Sequence, residues 1–336
     1  MRDQLNIVRH LTPRRVFNLI QLKSSYYLSR LLKKPIIWGK AFTVSIEPTT
    51  ACNLACPECP SGLKQFTRPT GKLNLELNRT ILEQISSHVF YINYYFQGEP
   101  FLNPNFLDLI RTAKKHKIYT STSTNAHFID EKKAEEIVQS GLDRLIISID
   151  GLTQKTYENY RVNGTLTKVL EASKLLVAAK KKLNSNTPHL IFQFLAVKQN
   201  EHEIPFAFEL GTAIGIDEVR IKTAQLYDYK HGNPLLPDNE KYARYKKSKD
   251  GTYVLKYKTG NRCWRMWSGS VLTWDGKVVP CCFDKDAQHI IGSVEDQSFK
   301  SIWKSETYKT FRGSVLTQRN QIDICKNCSE GAKVWA

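Results

Sequence analysis

Apolar positions recur along this chain at two periods. Between residues 13 and 34, Val16, Phe17, Ile20, Tyr27, Leu28 and Leu31 fall on one face at helical spacing. Thr12 suits the N-cap, and Pro13 the first helical position, where its missing N–H is harmless; Pro35 stops the helix. Beyond it, strand-like and helix-like runs alternate. Strands are expected at Ala41–Glu47, Tyr91–Phe96, Ile118–Thr124, Arg144–Asp150, Leu190–Val197 and Glu218–Thr223. Helices are expected at Asn78–His88, Asn105–His116, Glu131–Ser140, Leu166–Lys182 and Ile204–Ala213. Such alternation builds parallel βαβ units, too few here to close an eight-fold barrel. The expected fold class is therefore α/β, a partial (β/α)6 TIM-type barrel with a small C-terminal module (β-hairpin plus helix). In that module Val271–Trp274 and Lys277–Cys281 flank an Asp275-Gly276 turn, and a helix covers Phe299–Phe311, ending near Gly313. The expected organisation is a basic amphipathic helix in 1–40, a core in 41–225, a polar bridge of little regular structure in 226–262, and the module in 263–336.

Composition narrows the class. Of 336 residues, 41% are hydrophobic and 24% charged, which excludes a disordered chain. No apolar run approaches the ~20 residues that span a bilayer, and the start carries no signal-peptide core, so a cytoplasmic protein is expected. Lys plus Arg number 49 against 32 Asp plus Glu, a formal charge of +17. That excess suits an anionic partner: nucleic acid, a lipid surface, or a phosphorylated or acidic substrate. No recognisable RNA-binding motif accompanies it, so nucleic acid is not the expected partner. The Lys-rich stretches at Lys114-Lys115, Lys180–Lys182 and Lys246-Lys247 read as solvated faces.

The cysteines carry the chemistry. Eight in a chain without export signals point to metal or redox work, and none lies between Cys59 and Cys263, so two sites are expected. Cys52, Cys56 and Cys59 follow the first strand as CxxxCxxC. Three thiolates on one loop can hold three irons of a 4Fe–4S cube and leave the fourth open to a small molecule. The bland alternative, a closed zinc site, wants four ligands, and the next histidine is as distant as His88.

At this point the sequence resembles the radical S-adenosylmethionine (SAM) superfamily, in which the open iron chelates SAM. Gln97-Gly98-Glu99-Pro100 is similar to that family's GGEP segment, which binds the SAM amino group; Gln97 is a departure from Gly. Ser148-Ile149-Asp150-Gly151 resembles the fourth-strand segment that contacts SAM, and Tyr160–Gly164 the stretch whose Arg, here Arg161, clamps the SAM carboxylate. Val197–Asn200 resembles the end of the fifth strand, by the adenine and ribose. Glu58 stands where the family usually has an aromatic residue near the adenine.

Cys263, Gly276 and Cys281, then Cys325-x2-Cys328, resemble the SPASM and twitch modules of the same superfamily. A full SPASM module has seven cysteines and two clusters; four cysteines suffice for one closed 4Fe–4S cluster, as in the shorter twitch form. A zinc knuckle is the alternative, and Cys282 reads as a packed spare thiol, with a ligand swap between it and Cys281 left open.

The resemblance implies an enzyme that cleaves SAM reductively to a 5′-deoxyadenosyl radical and takes hydrogen from its substrate. A closed auxiliary cluster suits a two-electron oxidation or cross-link. The alternatives are a redox-neutral epimerase or rearrangement enzyme and, in another class, a basic iron–sulfur or zinc RNA-binding module. His127, Lys222 and Asp284 are candidate general bases by their place near strand ends or the module. An electron donor such as flavodoxin or ferredoxin is implied; the substrate is a peptide, a sugar or a lipid-linked molecule. Forty residues before the first strand are too few for an added peptide-recognition domain, which counts against a ribosomal peptide. The basic helix has two candidate duties. Covering the barrel's open edge or bottom is the expected one, and anchoring at a lipid surface, which would make the protein membrane-peripheral, is the other.

Overall fold

The computed structural model describes residues 2–257 and 260–330; the expected module's residues 331–336 and the bridge's 258–259 lie outside them. In chain order the strands are β1 (Thr43–Ile46), β2 (Tyr91–Asn93), β3 (Tyr119–Thr124), β4 (Arg144–Ser148), β5 (His189–Ala196), β6 (Glu218–Thr223), β7 (Tyr245–Lys247), β8 (Tyr253–Leu255), β9 (Gly269–Leu272), β10 (Lys277–Val279) and β11 (Gly292–Ser293). The first six stand where the alternation placed them. Two compact units result. One holds residues 2–51, 66–122 and 260–330, the other 52–65 and 123–257.

In the first unit, β1 pairs in parallel with β2, and β2 with β3. The free side of β1 is taken by β9, also in parallel, with Thr43 opposite Gly269. Only glycine permits that approach, because a Cβ at Gly269 would sit 2.1 Å from the Thr43 carbonyl oxygen. β9 and β10 form the expected hairpin, with Gly276 at φ +76° in its turn, and β11 completes it. The expected single helix Phe299–Phe311 is two: Phe299–Lys304 and Glu306–Gln318. Ser305 divides them, since its side chain accepts the Tyr308 N–H and starts a new helix. Gly313 lies inside the second helix and does not end it.

Where one helix is expected in 1–40 there are two: Arg2–Arg9, and Pro13–Leu32 with Thr12 accepting the Arg15 N–H as its cap. The buried face of Pro13–Leu32, however, is Arg15, Asn18, Leu22, Ser25, Tyr26 and Ser29, not the apolar stripe of the sequence. Tyr26 packs edge-on against Trp264 and Trp267 of the module.

In the second unit β4, β5 and β6 are parallel; β4 and β5 bury most of their apolar residues, and on β6 Ile221 is buried and Val219 half-buried. The bridge departs from the expectation of little structure. It carries the antiparallel pair β7–β8, and Tyr229 stacks on Tyr245 at 4.3 Å. Leu226, Leu235, Leu236 and Tyr245 join Leu54, Cys56 and Tyr160 in one apolar cluster, which Cys52 and Cys59 adjoin. The bridge is thus packing for the cysteine loop.

Candidate active site

The loop carrying Cys52, Cys56 and Cys59 ends in the short helix Pro60–Leu63. Cys56 is buried and the other two are half-buried, and none is in a disulfide. The loop doubles back tightly: a Cβ on Gly62 would lie 2.6 Å from the Cys56 nitrogen. Ala55 donates its N–H to the Val162 carbonyl, tying the loop to the segment that holds Arg161. Arg161 Nη1 lies 3.7 Å from Cys56 Sγ, and its Nε donates to Asp150 at 2.5 Å. Asp150 is fully buried. Its other oxygen accepts the Leu195 N–H at 2.7 Å, and its carbonyl accepts Asn200 Nδ2. Expected as a cofactor contact, Asp150 is placed as the residue that aims Arg161. Burial works against the charge on Arg161, but Asp150 and Cys56 outweigh it and hold its pKa well above the ordinary value. Burial pushes the Cys56 thiol up, so taking iron there requires giving up a proton.

Two more residues complete this surround: Asn125, outside the sequence motifs, and Glu58, inside the cysteine motif. Asn125 donates to Asn53 at 2.8 Å and sits 4.0 Å from Cys52 Sγ. Glu58 turns to the bridge, where it accepts the Tyr227 N–H at 2.8 Å and Asn233 Nδ2 at 3.4 Å. Ser148 is buried on β4 opposite Gln193, and Lys222 is half-buried on β6 opposite Leu195. His127 is committed elsewhere. Its Nε2 accepts the Thr165 N–H at the start of the helix Leu166–Lys182, and its Nδ1 donates to the Asn125 carbonyl. Its lone pair serves that helix, which leaves it poorly suited to act as a base; burial also lowers its pKa.

Gln97, Gly98 and Glu99 are built into the first unit. Gly98 has φ +73°, and a Cβ there would sit 2.3 Å from the Thr49 carbonyl oxygen. Glu99 is buried; its N–H donates to the Ala51 carbonyl at 2.7 Å, one residue before Cys52, and its carboxylate accepts the Phe101 N–H. Gln97 is buried beside them in sequence.

The four module cysteines also share the first unit. Cys263 and Cys281 are buried in one cluster with Met266, Trp267, Val315 and Leu316, and Cys282 lies against it, half-buried. Cys263 is within electrostatic reach of Cys281 and of Cys328, and Cys328 of Cys325. A buried Arg319, absent from the sequence expectations, organises this end. Its Nη2 donates to Cys328 Sγ at 3.3 Å and its Nη1 to the Arg262 carbonyl, while its Nε, buried, makes no hydrogen bond. Glu330 donates its N–H to Cys328 Sγ and pairs with Arg265 at 3.2 Å. Burial pushes Cys263 up to about 12 and Cys325 up to about 11. Asp284 is buried, and its two oxygens accept the N–H groups of Gln288 and His289. It closes a turn of the module, which is a poor position for a base.

The donor sets fit iron–sulfur clusters. Free thiols of matching spacing lie beside buried guanidinium groups that offset the negative charge of thiolates on iron. Among the described residues, no three His, Cys, Asp or Glu side chains converge as they would on a single ion. A cube does not ask for that, because each thiolate takes its own iron.

Comparisons with known proteins agree. The sequence model of the radical SAM superfamily matches residues 46–198, and that of SPASM, an iron–sulfur cluster-binding domain, matches residues 263–329. The chain belongs to the radical SAM superfamily and carries a C-terminal SPASM domain. It is therefore an enzyme of SAM and 4Fe–4S chemistry with an auxiliary iron–sulfur module. It is 25% identical over 316 residues to the tungsten-containing aldehyde ferredoxin oxidoreductase cofactor-modifying protein of Pyrococcus furiosus, covering 84% of this chain and 86% of that one. To the PqqA peptide cyclase of Gluconobacter oxydans it is 26% identical over 311 residues, covering 86% and 83%. Among solved structures, Streptococcus suis SuiB bound to S-adenosylmethionine matches with a TM-score of 0.65 at 16% identity, covering 91% of this chain and 76% of that one. BtrN in complex with AdoMet and 2-DOIA matches with a TM-score of 0.55 at 19% identity, covering 86% and 93%. The fold is thus the α/β partial barrel of these enzymes.

Proposed function

We propose that this enzyme carries out an oxidative radical modification of a peptide. SAM and the three-cysteine cluster, when bound, supply reductive cleavage and hydrogen-atom abstraction, and a closed auxiliary cluster supplies an acceptor for one further electron. A hydrogen atom plus an electron makes a two-electron oxidation, with the remaining proton passed to solvent or a base.

The chain's own residues fit these tasks. Cys52, Cys56 and Cys59 hold three irons and leave the fourth open. Arg161, aimed by Asp150, presents a planar guanidinium suited to a carboxylate. Gly98 lets the backbone before Glu99 lie against Thr49 and Ala51, which suits recognition of an amino group. Ser148 completes the strand-end set. Cys263, Cys281, Cys325 and Cys328 fill every iron of one auxiliary cube, so that cube has no room for a second SAM. What supports the oxidative reading is this SPASM segment, in which Cys263 and Cys281 are buried in one cluster and Cys328 accepts from buried Arg319. The peptide class rests on relatives named for peptide chemistry, such as the PqqA peptide cyclase.

The test uses reduced, reconstituted protein with SAM. 5′-Deoxyadenosine should form and should vanish when Cys52, Cys56 and Cys59 are all replaced by Ala. Short peptides encoded beside the gene should yield products lighter by a pair of hydrogens. A product of unchanged mass with inverted stereochemistry would make the reaction redox-neutral and overturn the oxidation.

A further inference from the structure

The helix Pro13–Leu32 turns its polar side inward. Arg15 donates to the carbonyls of His10, Ser86, His116 and Lys117. Asn18 exchanges two hydrogen bonds with the Lys40 backbone, and Ser29 Oγ accepts the Ile36 N–H at 2.9 Å. These groups fasten the helix to the body. Its other face, about half a turn away at 3.6 residues per turn, leaves Phe17 61%, Ile20 57%, Tyr27 58% and Leu31 78% exposed. Single exposed apolar residues are ordinary, whereas a stripe of large ones on one helix face marks a docking surface.

The charge around the stripe says what docks. From Gln4 to Ile46 there is no Asp or Glu, against eight Lys and Arg. Arg15 is spent inside, but Arg14, Lys23, Arg30, Lys33 and Lys34 are exposed beside or beyond the stripe. Apolar side chains rimmed by cations match the acyl boundary and phosphates of an anionic leaflet. A second copy of this chain would bring the same cations to the contact and repel. No helix among the described residues is long and apolar enough to cross a membrane. We propose that the outward face of Pro13–Leu32 lies on an anionic lipid surface and holds the enzyme there.

Vesicle flotation of the full chain tests this. Wild type should float with vesicles containing phosphatidylserine at low salt, not with phosphatidylcholine alone, and should be released as salt screens the charges. Phe17→Ser with Ile20→Ser and Leu31→Ser, and separately Arg14→Gln with Arg30→Gln and Lys34→Gln, should each weaken binding at least about tenfold. Melting temperature, iron content and SAM cleavage with a chemical reductant should stay near wild type, which separates this result from the fate of the proposed reaction. Wild type that ignores the anionic vesicles would overturn the proposal. So would serine variants that bind like wild type, which would reduce the contact to bulk charge. A dimer that the serine substitutions dissociate, with no vesicle binding, would assign the face to self-association instead.

Discussion

Arg161 faces Cys56 with its Nη1 3.7 Å from the sulfur, and Asp150 holds the same guanidinium at Nε. The pair is largely out of water, at 16% and 1% side-chain exposure. Breaking a buried pair by removing one partner costs about 3–5 kcal/mol. Asp150→Asn should therefore lower the melting temperature and weaken SAM binding while iron content holds. Arg161→Lys keeps the charge but loses the fork, and should weaken SAM binding more than stability. Calorimetric SAM titration and melting curves on reconstituted protein check both. Unchanged SAM affinity in both variants would remove Arg161 from the cofactor site.

The module's cysteines should be separable from those of the core. Cys325→Ala with Cys328→Ala is expected to lower iron from about eight to about four per chain, by the four-thiolate rule for a cube. 5′-Deoxyadenosine should still form at a reduced level, and substrate turnover should stop. Melting curves must accompany the assay, because a cluster also ties its module together. A folded variant that turns over substrate at the wild-type rate would rule the auxiliary cluster out as electron acceptor.

His88 makes acid stability predictable. Burial first, then Lys40, Arg14 and Arg15, push it from 6.5 down to about 3. The unfolded chain takes its proton near pH 6.5, and the folded chain resists until about pH 3. The stability conferred by neutral His88 is thus complete above about pH 6.5 and is lost as pH falls, at about 1.4 kcal/mol per pH unit. Urea unfolding between about pH 7 and pH 5 should show this slope in wild type and a flatter one in His88→Gln. Equal slopes would mean that His88 titrates normally.

Glu58 should behave as a latch for the bridge. Its carboxylate accepts the Tyr227 N–H and Asn233 Nδ2. Hydrogen bonds to a charged acceptor contribute about 1.5–3 kcal/mol, so Glu58→Ala should speed amide exchange at Tyr227 about tenfold or more. Iron content should not change. Protection equal to wild type at Tyr227 would refute the latch.

The order of the six core strands was legible because short runs rich in β-branched, aliphatic or aromatic residues alternate with segments of helical periodicity. The cysteine sites were legible because a cluster loop needs its ligands at close, fixed spacing. What escaped depends on distant neighbours. Arg319 meets Cys328 across a turn that no spacing rule describes. His127 stands where a base could stand, but whether its lone pair is free depends on Thr165, far along the chain. The helix Pro13–Leu32 is amphipathic by its pattern, yet the pattern does not say which face turns inward; hydrogen bonds from Arg15, Asn18 and Ser29 decided that. Ser305 did carry a readable signal, since a serine N-cap with the acid Glu306 in the first turn favours a helix start, and it outweighed the continuous apolar periodicity on either side.

The parallel pairing of β1 with β9 bears on how the chain is made. Thr43 meets Gly269 more than two hundred residues later in the sequence. While the ribosome is still extending the barrel, one side of β1 is a bare strand edge, able to pair with another nascent chain. Contacts so distant in sequence form slowly. A chaperone that shields the first strand until the last quarter emerges should raise the yield of folded enzyme, and synthesis stopped before residue 269 should deliver aggregate instead of a smaller working core.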